Sequence, residues 1–366
     1  MAENRQTSVG TVSHPGPVTT TARAQTTTDT PALGVWLPGL VTLAAIWGCS
    51  FLFIEVGIRE LHPTYVTLGR VLTGALTLLI ILAIRRDPLP RSPRLWMHLV
   101  VLGAVGVALP FTLFGYGEQR IPSLLAGIWN GTTPLVVLPI AVLVFRTERF
   151  TIHRLAGLLL GFIGVLTVLG VWQGVSGGEL SGQLMCLGAA TCYGIAIPYQ
   201  KRFIADAKES GPALSAGMLI AATGWLLIVA PIVAGAPPAP TDLSLKVIGS
   251  VLALGALGTG LAFVIHMRNI RLIGASRAAT VTYLVPVFAV VVGITVLGES
   301  IEWYQPIGGL IVLAGVAVSQ DRVRKPAEKS ESVVAPDCSR PCDGQVDEAD
   351  AAAEAESAPA AVRQSG

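Results

Sequence analysis

The sequence predicts an all-α integral membrane protein in which ten transmembrane helices form two inverted five-helix repeats, with both termini in the cytoplasm. Composition, ten apolar stretches and a duplicated motif support this fold class. Of the 366 residues, 52% are hydrophobic and 13% are charged, against about 25% charged in an average soluble domain. The mean hydropathy of +0.64 points the same way. A lipid bilayer is therefore the expected environment of most of the chain.

A transmembrane helix needs about 17–25 predominantly apolar residues, and ten stretches of the chain meet this requirement. Short connections separate them, which leaves no room for a soluble domain between the spans. The predicted spans cover about 34–57, 63–84, 95–116, 121–145, 153–172, 183–203, 213–235, 245–267, 275–297 and 302–319.

A pattern of glycines, a phenylalanine, a proline and a glutamate occurs twice at matching spacing. It reads Gly103-Ala104-x-Gly106, Leu109, Phe111, Pro134, Glu148, Gly157, Gly164 in the first copy, and Gly255-Ala256-x-Gly258, Leu261, Phe263, Pro286, Glu299, Gly308, Gly315 in the second. The proline follows the first glycine by 31 positions in both copies. Chance rarely preserves so many identities in register, so we interpret the pattern as an internal duplication. Duplicated helical repeats are typical of secondary transporters.

The two copies are predicted to cross the membrane in opposite directions. The first copy starts in the third span and the second in the eighth, and five spans is an odd number. Loop charge agrees, because cytoplasmic loops carry the excess of Lys and Arg. With a cytoplasmic N-terminus, the inner loops carry 13 Lys and Arg and the outer loops three. The loop after Glu148 is basic, whereas the equivalent loop after Glu299 carries Glu302 and no Lys or Arg.

The predicted organisation has four parts. Residues 1–33 and 320–366 form cytoplasmic tails, which are too poor in hydrophobic residues to order themselves, and residues 34–172 and 183–319 form the two repeats. Three of the five cysteines lie in spans, and the two in the second tail lack the further Cys or His that a zinc site needs. We therefore expect neither a metal nor a cofactor.

Both halves also carry short motifs that identify a family. The second half contains Gly274-Ala275-x-Arg277-Ala278, Tyr283-Leu284-x-Pro286 and Leu297-Gly298-Glu299. The first half contains Trp47-Gly48-x-Ser50-Phe51, Arg70, and Trp129 followed by Pro134, but has Arg146-Thr147-Glu148 where the second half has Leu297-Gly298-Glu299. In these motifs the chain resembles the drug/metabolite transporter superfamily, in its EamA form of ten helices and two repeats.

The resemblance implies a transporter rather than an enzyme. It favours a secondary-active exporter that moves a small metabolite, such as an amino acid, or a drug by alternating access in a bacterial inner membrane. A metabolite exchanger or a broad-specificity drug exporter is the alternative within transport, and a non-transporting sensor or assembly protein is the alternative from another class. The expected partners are a small-molecule substrate and the lipid bilayer. A proton or counter-substrate and a homodimer are left open, and nothing indicates nucleic-acid binding.

Pro134 and Pro286 occupy equivalent places about halfway along spans 4 and 9. A proline inside a helix leaves the carbonyl four residues earlier without its helical donor, and those residues are Asn130 and Thr282. At that depth such a carbonyl needs another partner. We predict that Asn130 and Thr282 form the two halves of a central substrate site. The alternative is a packing kink whose carbonyl is met by a local Ser or Thr or by water.

Three aromatic residues are further candidates for the substrate site. Trp129 and Tyr283 are adjacent in sequence to Asn130 and Thr282, and Trp47 lies within span 1. Aromatic residues usually gather at the membrane interfaces, so a position in the middle of a span is unusual. We predict that Trp129, Tyr283 and Trp47 line a cavity, with core packing as the alternative.

Arg70 lies about seven residues into span 2, where a charge is costly and is a functional candidate by default. It either anchors a substrate carboxylate or has a structural role, through an ion pair with Glu55 or by extending to the outer surface. Glu148 and Glu299 end spans 4 and 9, and we interpret them as helix caps or interface partners. His266 is expected at the cytoplasmic interface.

Overall fold

A computed structural model describes residues 33–147, 151–170, 172, 177–273, 278 and 280–320. Within these ranges all regular secondary structure is helical. Eight helices are long and apolar enough to cross a membrane, and two shorter apolar helices, Val281–Leu297 and Tyr304–Ser319, follow them. The predicted class of an all-α membrane protein is therefore confirmed. The ten-span count and the cytoplasmic location of both termini remain predictions.

Thirteen α-helices follow one another in the described ranges. They are α1 (Leu33–Ile58), α2 (Pro63–Arg85), α3 (Pro93–Gly103), α4 (Leu109–Glu118), α5 (Ser123–Asn130), α6 (Thr133–Leu143), α7 (Ile152–Leu169), α8 (Gly177–Phe203), α9 (Gly211–Ala234), α10 (Leu245–Gly255), α11 (Ala262–Ile273), α12 (Val281–Leu297) and α13 (Tyr304–Gln320). A π-helical segment, Ala104–Ala108, joins α3 to α4, and a second, Ala256–Leu261, joins α10 to α11.

Capping side chains set the starts of several helices. The hydroxyls of Thr151, Ser210 and Ser244 each accept a hydrogen bond from the backbone amide three residues later, at the starts of α7, α9 and α10. Such a cap satisfies one of the amides that a helix leaves without an internal partner. Proline occupies the first turn of α2 and α9, where its missing amide costs nothing. These signals mark where α2, α7, α9 and α10 begin.

The four glycines that close the duplicated motif lie at one helix crossing. A Cβ atom placed on Gly157 of α7 would lie 2.4 Å from the Ser319 amide nitrogen of α13. One placed on Gly164 of α7 would lie 2.6 Å from the Val312 amide nitrogen of α13. Equivalently, a Cβ on Gly308 or Gly315 of α13 would come within 2.6 Å or 2.5 Å of the α7 backbone. The contact is reciprocal, as expected for equivalent helices of two repeats. Small residues at these positions let two membrane helices approach closely.

The Gly-Ala-x-Gly sequence that opens each motif is the place where a span changes to π-helix. The segment begins at Ala104 in the first copy and at Ala256 in the second. Single π-turns of this kind often occur at functional sites. The glycine before each segment packs against a backbone: a Cβ on Gly103 would lie 2.8 Å from the Ala222 amide nitrogen of α9, and one on Gly255 would lie 2.6 Å from the Arg70 carbonyl oxygen of α2.

Two polar contacts join the connecting segments of the two halves. Glu60, just after α1, accepts a hydrogen bond of 2.7 Å from the backbone amide of Ser244, just before α10. This hydrogen bond lowers the pKa of the exposed Glu60 carboxyl below its usual range. The Tyr65 hydroxyl at the start of α2 donates to the carbonyl of Gly235 at the end of α9. The first half of the chain is therefore tied to the second at this end of the bundle.

Candidate functional site

The guanidinium of Arg70 lies between helices of the two halves. Arg70 as a whole is 7% exposed. The Nε donates a hydrogen bond of 3.0 Å to Thr259 Oγ1, in the second π-helical segment. The Cζ lies 3.6 Å from the ring centroid of Phe111 on α4, which is cation–π geometry. Arg70 therefore contacts the spans that carry the duplicated Gly-Ala-x-Gly sequences of both repeats.

The π-helical register explains why Thr259 faces Arg70. Thr259 Oγ1 donates to the carbonyl of Leu254, five residues earlier, at 3.2 Å. Because the hydroxyl proton is used in that bond, the oxygen presents its lone pairs to the guanidinium. The neighbouring Gly258 allows a close approach of α1, since a Cβ there would lie 2.9 Å from Ser50 Oγ. The Arg70 side chain therefore packs against the π-helical segment beside Gly258 and Thr259.

The predicted ion pair between Arg70 and Glu55 is wrong in this structure. Glu55 lies 3.5 Å from Arg59, one turn further along the same helix. Arg70 does not extend to the surface either, because it is buried. Within the described ranges, Arg70 has no carboxylate oxygen within 4 Å, and Nε is the guanidinium nitrogen that makes a hydrogen bond. The remaining sequence hypothesis, an anchor for a carboxylate, is compatible with this geometry.

Aromatic side chains continue from Arg70 into the bundle. Phe114 lies one turn after Phe111 on α4, with its ring centroid 5.6 Å from that of Phe51 on α1 and 6.4 Å from that of Tyr193 on α8. Sequence reasoning did not select these rings as site residues. Phe111 was nevertheless part of the duplicated motif, and that repetition is the signal that could have identified it.

Trp47 and His266 meet inside the bundle. Their ring centroids lie 5.3 Å apart, which joins α1 to α11. The His266 Nδ1 is buried and has no hydrogen-bond partner among the described residues. This contact places His266 beside the middle of α1, and its position relative to the cytoplasmic interface stays a prediction. Trp47 is partly buried against the central hydrophobic cluster, so it keeps both a packing role and an accessible edge.

Trp129 is placed as a core residue. It is 1% exposed, and its indole Nε1 donates to Gln183 Oε1 on α8 at 3.3 Å. Gln183 is itself 1% exposed. A buried indole N–H normally finds such a partner. The contact favours the packing alternative for Trp129 and fixes α5 against α8.

Span 4 is interrupted at the predicted proline. Helix α5 ends at Asn130 and α6 begins at Thr133, directly before Pro134. The Asn130 carbonyl accepts a hydrogen bond of 2.7 Å from the Thr133 hydroxyl, and the Trp129 carbonyl accepts one of 2.7 Å from Thr132. The kink is thus present, and local threonines satisfy its carbonyls. These two hydrogen bonds use backbone carbonyls, and the Asn130 side chain is half-buried.

The interruption in span 4 lies against span 9. A Cβ on Gly131 would lie 3.0 Å from Pro286 Cγ, and one on Gly127 would lie 2.3 Å from Ala289 Cβ. Helices α5 and α12 therefore pack directly here rather than across a polar cavity. Helix α12 runs through Pro286 without interruption.

The two candidate residues at the start of α12 are both partly buried. Tyr283 packs against the buried cluster of Leu135, Val312 and Val316, which favours its packing alternative. Thr282 precedes it in the first turn of the helix. The structure thus brings the two proline segments together, and the role of Asn130 and Thr282 in binding stays a prediction.

Glu299 caps a helix of the opposite repeat. Its Oε1 accepts from the Ser123 amide at 2.8 Å, and its Oε2 accepts from the Leu124 amide at 3.0 Å. These amides open α5, where a carboxylate is also favoured by the helix dipole. The interpretation of Glu299 as a cap is therefore confirmed, and the cap joins span 9 to span 4. Its equivalent, Glu148, lies outside the described residues.

Glu118 is the charged group that sequence reasoning missed. It was placed beyond the end of span 3, but α4 continues to Glu118, which is 4% exposed. Both of its carboxylate oxygens are buried and have no hydrogen-bond partner within the described ranges. Two glycines explain this burial: a Cβ on Gly115 would lie 3.0 Å from Pro63 Cβ, and one on Gly117 would lie 2.5 Å from Cys186 Sγ. A glutamate after Gly-x-Gly at a helix end was the available signal.

A cavity of about 530 Å³ lies beside Glu118. It is formed by the end of α1 and by the segment that follows α4. Its lining residues are Glu55, Ile58, Arg59, Glu118, Gln119 and Arg120. In the predicted topology this cavity lies on the outer side of the membrane.

Comparison with known proteins agrees with this architecture. The model of the EamA-like transporter family matches residues 34–170 and again 180–319. The chain is 26% identical over 280 residues to the uncharacterized transporter YoaV of Bacillus subtilis, covering 76% of this chain and 94% of that protein. It is 28% identical over 315 residues to the uncharacterized inner membrane transporter YedA of Escherichia coli K12, covering 81% of this chain and 94% of that protein.

A crystal structure of another protein shows the same fold. It aligns with a TM-score of 0.56 at 19% identity, over 78% of this chain and 95% of that one. The helices, the two matched segments and the buried polar groups define a multi-pass membrane protein of the transporter class. This chain belongs to the EamA-like transporter family.

Proposed function

We propose that this protein is a secondary-active exporter of a small metabolite with a carboxylate group, such as an amino acid or a related compound, in a bacterial inner membrane. The observation that carries the proposal is the Arg70 guanidinium, buried between the two repeats without an acidic partner within 4 Å in the described ranges. A buried charge without a counter-ion is unfavourable. An anionic substrate would supply that counter-ion.

The chemistry of arginine fits this role. Its planar guanidinium can donate two parallel hydrogen bonds to a carboxylate, which gives both affinity and orientation. The Nε contact with Thr259 and the Phe111 ring hold the side chain in one position. The terminal nitrogens remain for a ligand. Phe114 and Tyr193 would then contact the apolar part of the substrate.

Alternating access would follow from the duplication. Transporters with inverted repeats rock one repeat against the other around a site near the middle of the membrane. The repeats here meet at the reciprocal α7–α13 glycine crossing and at the Glu299 cap on α5. We propose ten spans with both termini cytoplasmic, and we retain Asn130, Thr282 and Trp47 as further substrate contacts.

The test uses purified protein in liposomes that are loaded with a mixture of amino acids and other small carboxylates. Loss of each solute is followed by mass spectrometry, against liposomes without protein. We expect selective loss of one or a few carboxylates, and at least a tenfold slower loss in Arg70→Gln. Arg59→Gln is the matched control, because Arg59 is exposed and pairs with Glu55. Size-exclusion chromatography checks that each variant is folded.

The other outcomes identify the alternatives. Loss that requires a second solute outside would indicate an exchanger. Loss of cationic or neutral drugs that is unchanged in Arg70→Gln would indicate a broad-specificity drug exporter. If none of these solutes moves faster than in empty liposomes, the transport proposal fails and a sensor or assembly role becomes the better explanation.

A further inference from the structure

Glu118 presents a chemical problem that the proposed substrate site does not solve. The residue is 4% exposed, both carboxylate oxygens are buried, and neither has a hydrogen-bond donor in the described part of the chain. An ionised carboxylate in such a place has lost its water without compensation, which is strongly unfavourable. A bound proton or a bound cation would remove this unfavourable charge.

Titratable and charged groups from several neighbouring segments surround Glu118. Glu55 on α1, Arg70 on α2 and Glu299 after α12 are near enough to act on it electrostatically. The Cys186 thiol on α8 lies against the adjacent Gly117. The Glu55 and Glu299 carboxylates disfavour a third negative charge at this place, and the Arg70 guanidinium offsets part of that effect.

The positive groups nearest the cavity are already engaged. Arg59 pairs with Glu55 at 3.5 Å. Arg120 Nη1 donates to the Tyr116 carbonyl at 3.0 Å and contacts Met185 Sδ at 3.6 Å. Neither makes an ion pair with Glu118. The oxygens of Glu299 are likewise engaged, because they accept from the Ser123 and Leu124 amides.

This arrangement distinguishes a proton from a metal cation. Hard cations require several oxygen ligands around one point. Here the nearby Glu299 oxygens face amides, and Glu118 has no polar neighbour within hydrogen-bond distance in the ranges described. A proton needs a single carboxylate oxygen and a path to water. The cavity lined in part by Glu118 brings water next to this residue, although both carboxylate oxygens are covered in this conformation.

We propose that Glu118 is a proton-binding site of the transporter, loaded from the adjacent cavity. An O–H bond forms on one carboxylate oxygen with a proton from cavity water, and the uncharged acid then occupies the buried position. In the proposed transport cycle, the Arg70 anchor contacts Phe111 on α4, the same helix that ends at Glu118. That link to transport rests on the proposed function, whereas the proton site itself does not.

The test needs no substrate. Dicyclohexylcarbodiimide, an apolar reagent, reacts with carboxylic acids that are protonated and shielded from water. The full-length protein in lipid nanodiscs is treated at a series of pH values, and adducts are located by peptide mass spectrometry. We expect one dominant adduct on Glu118, which decreases as the pH is raised. Glu118→Gln should lose it completely, and Glu55→Gln should keep it.

Three results would overturn the proposal: no adduct on Glu118 at the lowest pH at which wild type remains folded, an adduct yield that is independent of pH, or protection by sodium chloride but not by choline chloride. The last would indicate a sodium site. Because wild-type mapping is sufficient, a variant that fails to fold leaves the test intact.

A stability measurement adds an independent readout. Glutamine keeps the shape of the protonated acid, so Glu118→Gln should melt at the same temperature as wild type at low pH and at a higher temperature at high pH. A lower melting temperature at every pH would contradict the proposal. Failure of the liposome transport assay alone would remove the proposed function and leave the labelling result standing.

Discussion

Arg70 Nε and Thr259 Oγ1 are joined by a 3.0 Å hydrogen bond that crosses from the first half of the chain to the second. The same hydroxyl donates to the Leu254 carbonyl, five residues earlier. The position of the guanidinium is thus tied to the local shape of span 8. A change of register in that span would move the charge that we propose binds substrate.

Thr259→Val is expected to impair transport by leaving Arg70 without its positioning partner. A hydrogen bond to a charged group contributes about 1.5–3 kcal/mol, so KM should rise by roughly tenfold or more. Thr259→Ser keeps the hydroxyl and should retain most of the affinity. The measurement is the concentration dependence of transport for the solute identified in liposomes. Unchanged kinetics in Thr259→Val would show that the bond does not position the anchor.

Gly315→Ala is expected to destabilise the protein. The new Cβ would lie 2.5 Å from the Gly161 amide nitrogen, so α7 and α13 must separate. Overpacking of this kind costs about 1–3 kcal/mol. Gly224→Ala is the matched control, because a Cβ at Gly224 meets nothing within 4 Å. The measurement is the melting temperature of the purified variants, which should be lower for Gly315→Ala than for Gly224→Ala. Equal melting temperatures would contradict the close crossing.

Glu299→Ala should weaken the junction between spans 4 and 9. It removes the acceptor for the Ser123 and Leu124 amides, and loss of a helix cap costs about 0.5–2 kcal/mol. Glu302→Ala is the control, since Glu302 is an exposed acid three residues further on. A drop in melting temperature is expected for Glu299→Ala alone. Equal drops in both variants would argue for general loss of charge instead.

Much of the fold could be predicted from the sequence because membrane spans are selected by length and hydropathy, which the sequence displays directly. The duplicated glycines and prolines also pointed to real features: a helix crossing, two π-helical segments and a broken span. The prolines act on their own helix, and the glycines were recognisable because both repeats carry them at the same spacing.

The polar site was harder to predict because it depends on which side chains meet across the repeats. Arg70 was recognised, but one of the structural alternatives for it, an ion pair with Glu55, is absent because Arg59 pairs with that carboxylate. Glu118 was overlooked because hydropathy ends span 3 before it, whereas Gly115 and Gly117 let neighbouring helices cover it. Burial of this kind follows from packing between distant segments, and periodicity along one helix does not report it.

The inverted topology predicts which single cysteines an impermeant thiol reagent can reach in intact cells. A reporter placed in 236–244, between α9 and α10, should be labelled from outside. A reporter in 86–93, between α2 and α3, should be labelled only after the membrane is permeabilised. The background is the variant in which all five native cysteines are replaced by serine or alanine. Labelling of both reporters from outside would contradict the proposed orientation.

Asn130 and Thr282 provide the last test of the substrate site. Asn130→Ala should reduce transport strongly at near-normal yield, because the carbonyl at the kink keeps its Thr133 partner and the side chain alone is lost. Thr282→Val, close in shape but without the hydroxyl, should reduce transport less. Pro134→Ala and Pro286→Ala should allow a helical bond to form and slow transport without unfolding the protein. Uptake and efflux in liposomes, with melting temperature as the folding control, measure each variant. Full transport in the Asn130→Ala/Thr282→Val double variant would remove both residues from the site and leave Arg70 as its remaining anchor.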